Sequence, residues 1–384
     1  MTSVQGESPL RPQPGSQIDP RDAVGRDRTT AYARRQLLDR NNLQLNDPRR
    51  MGKTVWLDLF CADPGDGLIA LKVDYEGVRT TEEFLLRTVE GLSEHRSLPD
   101  KTRARFRALF ENLDVSTSVG PVTIKPGVTS RSRTQLLAET IRSVDHHLAD
   151  GTVLVIAMDE VPIAIGNVAS DEGPDAAGRL LQTLRELRRR ESKLRWIVCG
   201  SIGFHHVLRR CHVTEGVVND LVNLPLGPLE AGEAKELARR LLLGIRRPGG
   251  EDVVDAIVEH SGAIPFLIHA LAHGLEDAAG GPVDVEHIVE AFAEFMDDRD
   301  ESRAVTHLVT RLDLLYGDRV SAAEALLDRV ALEGSGNIED LKREADAGVL
   351  DDLVGDHYLL EKRGVVTWRY AVLCRIWMHR RRLG

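Results

Sequence analysis

The 384-residue sequence lacks the marks of several large classes of protein. No uninterrupted apolar run approaches the roughly 20 residues that a membrane-spanning helix needs. The first residues, MTSVQGESPLRPQPGSQIDPRD, contain no apolar core of a signal peptide. The four cysteines are scattered and form no C-x-x-C pair, which argues against a disulfide or zinc framework. We therefore expect a cytoplasmic protein with reduced thiols and no membrane segment.

Two further absences narrow the choice of function. With 60 acidic and 50 basic residues, the formal net charge is -10, so the chain is not a uniformly basic nucleic-acid binder. No G-x-S-x-G pattern marks a serine nucleophile. Basic residues do collect between Lys362 and Arg382, where no acid interrupts them. This stretch fits a solvated helix face and a surface for nucleic acid or an acidic partner equally well.

Short apolar segments alternate with helical patterns through the first 225 residues. Each segment is rich in branched residues, as is typical of a strand that is buried on both faces. The segments are LQL (43–45), LIALKVD (68–74), TVLVIAMD (152–159) and LRWIVCGS (194–201). The alternation predicts an α/β domain with a parallel sheet. Residues 95–130 break the rhythm and are predicted to be an insertion that contains a loop or a small hairpin.

The sequence predicts four regions along the chain. Residues 1–22, rich in Pro, Gly, Ser and Gln, are expected to form a disordered tail. The α/β core is placed at residues 23–227 and a small helical domain at 228–283, where apolar residues recur at helical spacing. In the last region, 284–384, helices precede two short strands around Lys362-Arg363-Gly364. Helices followed by a β-hairpin predict a winged-helix-like domain.

The stretch LQLNDPRRMGKTVWLDLF (43–60) has the pattern of a strand, a tight loop and a helix. In a phosphate-binding loop, Gly52 lets the backbone approach the anion, Lys53 reaches the outer phosphates, and Thr54 ligates magnesium. Against the pattern G-x-x-x-x-G-K-[ST], the first glycine is replaced by Asp47. Because a carboxylate turned inward would repel a triphosphate, we expect Asp47 to point away from the loop. A chance Gly-Lys-Thr at the start of a helix is the alternative.

A second motif supports the first. The apolar strand at 152–159 ends in Asp159-Glu160, an arrangement that delivers one carboxylate to magnesium and the next to an attacking water. A third strand ends in Gly200-Ser201, with a hydroxyl where a sensor of the γ-phosphate would lie. Together the three motifs predict a nucleotide site.

The ordered set of motifs resembles the ATPases of the STAND group within the AAA+ superfamily. Val24-Gly25-Arg26-Asp27 resembles the Gly-Arg-Asp/Glu motif before the first helix, and Pro48 to Thr54 resembles the phosphate loop. Gly227-Pro228-Leu229 is similar to the opening of the family's helical lid, and Gly262-Ala263-Ile264-Pro265 to its Gly-x-Pro element. The resemblance implies a P-loop NTPase core, a helical lid and a winged helix. It also implies ATP or ADP and Mg²⁺ as ligands.

The resemblance implies a role for each matching residue. Lys53, Glu160 as general base and Ser201 as sensor would be catalytic, and Thr54 and Asp159 would hold Mg²⁺. The nucleotide-binding residues would be Gly25, Arg26, Pro48, Arg49, Arg50, Met51, Gly52, Lys53, Thr54, Val55 and Pro265. Gly25 and Arg26 would lie near the adenine and ribose, and Pro265 would help the lid to close.

Two functions remain open from the sequence. The first is an ATP-binding switch with slow or conditional hydrolysis that controls a protein or DNA partner in trans, with a homo-oligomer as one possible assembly. The second is a hydrolysis-deficient P-loop protein that serves as a winged-helix module for DNA or protein. Asp47 and the basic C-terminal stretch motivate the second.

Overall fold

The computed structural model describes residues 8–15, 18–94, 100, 103–104, 135, 138–139, 141–142, 148–190, 193–276, 281–297, 312–344 and 346–383. The predicted insertion at 95–130 lies outside these residues, apart from 100, 103 and 104. The chain divides into two compact units. The first comprises Met1–Asp27, Asp47–Trp56 and Leu226–Gly384, and the second comprises Arg28–Asn46 and Leu57–Pro225.

A five-stranded parallel sheet organises the second unit. Its strands are β1 (Asn42–Leu45), β2 (Leu68–Asp74), β3 (Val153–Asp159), β4 (Leu194–Cys199) and β5 (Leu221–Asn223), in the order β2-β3-β4-β1-β5. All four pairings are parallel. The predicted parallel sheet is confirmed. The sequence did not predict β5, which has only three residues at the edge of the sheet.

Helices cover both faces of this sheet. They are α1 (Asp27–Leu38), α2 (Lys53–Ala62), α3 (Thr81–Glu94), α4 (Val161–Asp171), α5 (Pro174–Arg190) and α6 (Phe204–Arg210). Successive side chains of a strand point to opposite faces. In β4, Arg195 donates from Nε to the Leu37 carbonyl at the end of α1 (3.2 Å), whereas Trp196 joins the apolar core formed with α3, α4 and α5.

Four helices follow in the first unit: α7 (Ala231–Gly244), α8 (Glu251–Ser261), α9 (Pro265–Gly274) and α10 (Val285–Asp297). Gly262, with φ +58°, ends α8, and Pro265 begins α9 with a fixed φ. The helix α10 packs against α8 and α9. It therefore extends a helical bundle past residue 283, where the sequence placed the end of the small helical domain.

The C-terminal region combines short helices with a small antiparallel sheet. The helices are α11 (Val320–Glu333), α12 (Ile338–Glu344), α13 (Ala347–Gly355) and α14 (Ala371–Arg381). The strands β6 (Gly336–Asn337), β7 (Leu359–Lys362) and β8 (Val365–Trp368) pair in the order β6-β8-β7. The predicted hairpin is confirmed, with Arg363 at φ +55° and Gly364 at φ +79°, as a tight two-residue turn requires. Trp377 of α14 is buried in the core of this region.

Part of the segment predicted as a disordered tail packs against the helical bundle. Leu10 is buried, and its N–H donates to the Arg240 carbonyl (2.9 Å). Gly244 makes the approach possible, because a Cβ there would lie 1.7 Å from the Leu10 carbonyl oxygen. Gln13 donates from its N–H to Nδ1 of His269 (3.2 Å). Composition alone placed residues 8–15 in the tail because it carries no information about this contact.

The sequence predicts reduced cysteines and no membrane-spanning helix. Cys61, Cys199, Cys211 and Cys374 are all free thiols. Among the described residues, no helix is both long enough and apolar enough to cross a membrane.

Candidate functional site

The phosphate loop, defined here as residues 47–52, leaves β1 and ends where α2 begins. Gly52 has φ +83°, a conformation that L side chains rarely adopt. The side chain of Lys53 is buried, and its Nζ donates to the main-chain carbonyls of Asp47 and of Pro48 (2.8 Å to the latter). Thr54 is exposed in the first turn of α2. The amine therefore lies at a helix N-terminus, a position that favours anions.

The Asp47 side chain is turned toward the segment that enters the helical bundle. Only 2% of it is exposed, and its two oxygens accept hydrogen bonds from the N–H groups of Leu226 (2.8 Å) and Gly227 (3.1 Å). We call residues 226–228 the linker. Two main-chain donors thus satisfy the carboxylate that replaces the first glycine of the loop.

The Arg26 side chain donates hydrogen bonds to the main-chain carbonyl groups of the same linker. Its Nη1 donates to Leu226 (2.6 Å) and Pro228 (3.2 Å), and its Nη2 donates to Gly227 (2.9 Å) and to Met51 of the phosphate loop (2.9 Å). Burial lowers the pKa of Arg26 to about 10, although the charges of Glu233 and Asp47 oppose this shift. The guanidinium is therefore engaged by the backbone of the linker and of the loop.

A glutamate of α7 completes this arrangement. Glu233 accepts from the Arg26 N–H (2.7 Å) and from the Glu230 N–H (3.1 Å), as part of a capping box at the start of α7. Both Gly25 and Arg26 have φ +77°. A Cβ on Gly25 would lie 2.4 Å from Cδ of Glu233, so the close approach requires glycine.

The start of α9 lies beside the phosphate loop. Cγ of Pro265 is 4.0 Å from the position that a Cβ of Gly52 would take. The Arg50 guanidinium lies over the Phe266 ring, 4.9 Å from its centroid. Burial lowers the pKa of Arg50, and the neighbouring Arg49 charge acts in the same direction. The structure therefore places Pro265 beside the phosphate loop.

Two residues of the C-terminal region experience the charges of the phosphate loop. Burial lowers the pKa of His357, the Arg369 charge adds to the shift, and the Asp47 carboxylate opposes it. Burial also raises the pKa of Tyr370, with Asp47 contributing in the same direction. The Asp47 charge therefore raises the pKa of both side chains, against burial in His357 and together with it in Tyr370.

The second unit carries the carboxylate pair at the carboxyl end of β3. Asp159 is buried, and Glu160 has φ +56° in the turn that leads into α4. The hydroxyl and the N–H of Ser201 both donate to Oε2 of Glu160, at 2.8 and 3.2 Å. Gly200 permits this geometry, because a Cβ there would lie 2.5 Å from Pro162. The structure therefore brings the predicted base and the predicted sensor into direct contact.

The predicted site residues fall into two sets. The set in the first unit comprises Gly25, Arg26, Pro48, Arg49, Arg50, Met51, Gly52, Lys53, Thr54, Val55 and Pro265. Asp159, Glu160 and Ser201 belong to the second unit. Sequence reasoning missed Glu233 and the linker as partners of Gly25-Arg26. The Glu-x-x-Glu spacing at 230–233 was the one local signal for Glu233.

No protein-family model and no curated protein matches the sequence. Among solved structures, a Walker-type ATPase of Pyrococcus abyssi is similar over 96% of this chain and 98% of its own, with a TM-score of 0.61 and 16% identity. The ORC2 protein of Aeropyrum pernix, in its ADPNP–ADP complexes, covers 93% of both chains at 12% identity, with a TM-score of 0.48. The RuvB Holliday junction branch migration motor of Thermotoga maritima covers 90% of this chain and 92% of its own at 11% identity, with a TM-score of 0.39.

At 16% identity, the likeness to the Pyrococcus protein establishes the fold. Together with the parallel sheet and the helix-capped loop after β1, it defines an AAA+-like P-loop NTPase fold.

Proposed function

We propose that this protein is an ATP-binding, Mg²⁺-dependent ATPase of the STAND type, which acts as a nucleotide-controlled switch with slow or conditional hydrolysis. The observation that carries the proposal is the state of Lys53. Its amine lies at the N-terminus of α2 and is held there by main-chain carbonyls of the phosphate loop itself. Phosphate oxygens are stronger acceptors for an ammonium group than neutral carbonyls, so they can displace them. The AAA+-like fold supports the same conclusion.

We propose Thr54 and Asp159 as the residues that would hold a magnesium ion. Thr54 offers a hydroxyl in the first turn of α2, and Asp159 offers a carboxylate at the end of β3. These are the hard oxygen ligands that Mg²⁺ prefers beside phosphates. The ion would supply neutralisation of charge on the phosphate oxygens. Arg49, Arg50 and Lys53 would add positive charge on the side of the phosphate loop.

Glu160 is the proposed general base. Its carboxylate accepts two hydrogen bonds from Ser201. These bonds fix the orientation of the carboxylate. A phosphate that competes for the Ser201 hydroxyl would change that orientation. Hydrolysis is therefore conditional on the environment of Ser201, which is the behaviour of a sensor.

The switch acts through the helical region and, we propose, on a protein partner in trans in the cytoplasm. The phosphate loop is hydrogen-bonded to the linker, and the C-terminal residues His357 and Tyr370 respond to its charges. A change in the loop is thus passed to elements that can contact a partner. Assembly into a homo-oligomer is compatible with this role.

The direct test is Mg-ATP binding by the wild-type protein and by Lys53→Ala, measured by isothermal calorimetry. We expect the wild-type protein to bind and the variant to lose at least about 2 kcal/mol of binding free energy, since charged hydrogen bonds to phosphate are lost. Lys235→Ala is the matched control, because Lys235 lies in α7 and pairs with Asp255, outside the phosphate loop. Equal, negligible binding by wild type and Lys53→Ala would sink the proposal.

The second candidate, a winged-helix module for DNA, is disfavoured by charge. We propose that α11–α14 with β6–β8 form a winged helix, and in helix-turn-helix units the second helix of the motif enters the major groove. The helix in that position, α13, carries Asp351 and Asp352 after the capping residue Asp346, and it carries no lysine or arginine. Asp352 is buried and pairs with Arg319, so α13 exposes the Asp351 carboxylate and offers no cation to DNA phosphates.

The basic residues of α14 are engaged within the first unit. Arg381 pairs with Asp328 (2.7 Å) and Glu324 (3.2 Å). Arg375 donates to the carbonyls of Glu259 and His260 at the end of α8. The C-terminal stretch therefore supports packing within the protein, and we propose a protein as the partner.

A further inference from the structure

We propose that Asp47 and Arg26 form a two-sided clamp on the linker, and that Asp47 is the positioning residue through which the state of the phosphate loop reaches α7. This inference rests on the proposed function, since the state it transmits is nucleotide occupancy. It assigns a role to the residue that departs from the phosphate-loop pattern.

The first side of the clamp consists of hydrogen bonds to N–H groups. The two oxygens of Asp47 accept from Leu226 and Gly227, in a site where 2% of the aspartate is exposed. Hydrogen bonds to an ionised acceptor are stronger than neutral ones, and burial leaves the carboxylate no water to exchange for them. The linker is therefore held to the first residue of the loop.

The second side consists of hydrogen bonds to carbonyl groups. Arg26 donates to the carbonyls of all three linker residues and to Met51 at the far end of the phosphate loop. Its own N–H is accepted by Glu233 in the first turn of α7. The linker thus lies between the Asp47 carboxylate, which belongs to the phosphate loop, and the Arg26 guanidinium, which is hydrogen-bonded to the loop at Met51.

Lys53 connects the clamp to the bound anion. Its Nζ donates to the carbonyl of Asp47, the residue whose side chain holds the linker. When the amine moves to phosphate oxygens, that carbonyl loses a charged donor, and the backbone of Asp47 relaxes. The side-chain bonds to Leu226 and Gly227 move with it.

The position of the clamp along the chain strengthens its effect. The chain passes between the two compact units four times, after Asp27, Asn46, Trp56 and Pro225. Arg26, Asp47 and Leu226 each lie at or next to one of these crossings. One network of hydrogen bonds therefore includes residues next to three of the points where the chain passes from one unit to the other.

The test is hydrogen exchange, followed by mass spectrometry, in peptides that span residues 224–230 and α7. In the nucleotide-free protein, Asp47→Asn and Asp47→Gly should speed exchange of the Leu226 and Gly227 amides roughly tenfold or more, as expected for a lost charged hydrogen bond. Asp346→Asn is the matched control, because Asp346 accepts a main-chain N–H from Gly348 at the start of α13. It should leave the linker amides unchanged.

The second readout is the effect of nucleotide, which a merely structural role of Asp47 would not alter. At Mg-ATP concentrations that saturate each protein, exchange in α7 should change in the wild type and in Asp346→Asn, and this change should be lost in both Asp47 variants.

Equal exchange of the linker amides in wild type and Asp47→Asn overturns the clamp. A nucleotide-induced change in α7 that survives in both Asp47 variants overturns the coupling. If the wild type binds no Mg-ATP, the proposed function fails instead, and the nucleotide-free exchange rates still decide whether the clamp exists.

Discussion

Replacing Glu160 by glutamine separates the proposed chemistry from the proposed binding. Both hydrogen bonds from Ser201 reach a single oxygen of Glu160, Oε2, at 2.8 and 3.2 Å. The amide oxygen of glutamine can accept the same two bonds. The substitution therefore preserves the geometry at the end of β4 and removes the one property that the proposal needs, which is the ability to take a proton from water.

The expected loss follows from the contribution of a general base. Positioned bases contribute about 10²–10⁴-fold to a rate, which corresponds to about 3–5 kcal/mol of activation free energy. We expect the kcat of Glu160→Gln for Mg-ATP hydrolysis to fall by that factor, while the Kd of Mg-ATP stays within about threefold of the wild-type value. Phosphate release under single-turnover conditions and calorimetric binding measure the two quantities.

A matched control guards this interpretation. Glu215 lies in the same unit and is exposed, so Glu215→Gln makes the same chemical change outside the predicted site. It should leave both kcat and Kd unchanged. If Glu160→Gln hydrolyses ATP as fast as wild type, Glu160 is not the base, and the assignment of the carboxylate pair is wrong.

Two further predictions concern pH and DNA. Burial lowers the pKa of His269 from 6.5 to about 4. Between these two pH values His269 binds a proton in the unfolded chain but not in the folded chain. Urea unfolding of the wild type should therefore show the free energy of unfolding fall by up to about 3 kcal/mol as the pH drops through this window. His269→Gln keeps an acceptor for the Gln13 N–H and should make the free energy of unfolding depend less on pH. Identical pH dependence in both proteins would refute the role of His269. Because α13 carries no lysine or arginine, fluorescence anisotropy at physiological salt should detect no binding of duplex DNA tighter than the nonspecific range of about 10⁻⁴–10⁻⁶ M. A nanomolar complex under the same conditions would contradict the preference for a protein partner.

The elements that sequence predicted well are those whose signal is local. The strands β2, β3 and β4 are runs of branched residues buried on both faces, and their ends agree with the predicted ends to within two residues. The hairpin at Arg363-Gly364 was readable because two residues with positive φ are needed for its turn. The phosphate loop was readable from the Gly-Lys-Thr sequence after an apolar strand. In each case, the residues that determine the structure are neighbours in the chain.

What the sequence could not predict depends on contacts between distant residues. The linker amide that binds Asp47 is 179 residues away, and the nearest linker carbonyl that binds Arg26 is 200 residues away. Neither pairing leaves a periodic signal. The packing of Leu10 is similar, since it depends on the missing side chain of Gly244 in a helix that follows more than 220 residues later. The strand β5 was missed for another reason, because three residues are too few to show a period.

The structure changes the physical reason for expecting slow turnover. Glycine is favoured where φ is positive, but Asp47 has no positive φ, so replacing glycine at this position costs the loop no conformation that it needs. Nor does the carboxylate act on phosphate as a bare charge. Two N–H donors satisfy it, and its charge opposes the effect of burial, which lowers the pKa of the nearby Arg26 guanidinium. Repulsion of the triphosphate is therefore a poor explanation for slow hydrolysis. The clamped linker explains slow hydrolysis better. When Lys53 moves to the nucleotide, Leu226 and Gly227 must move with the loop, and the free energy that this movement costs reduces the free energy of nucleotide binding.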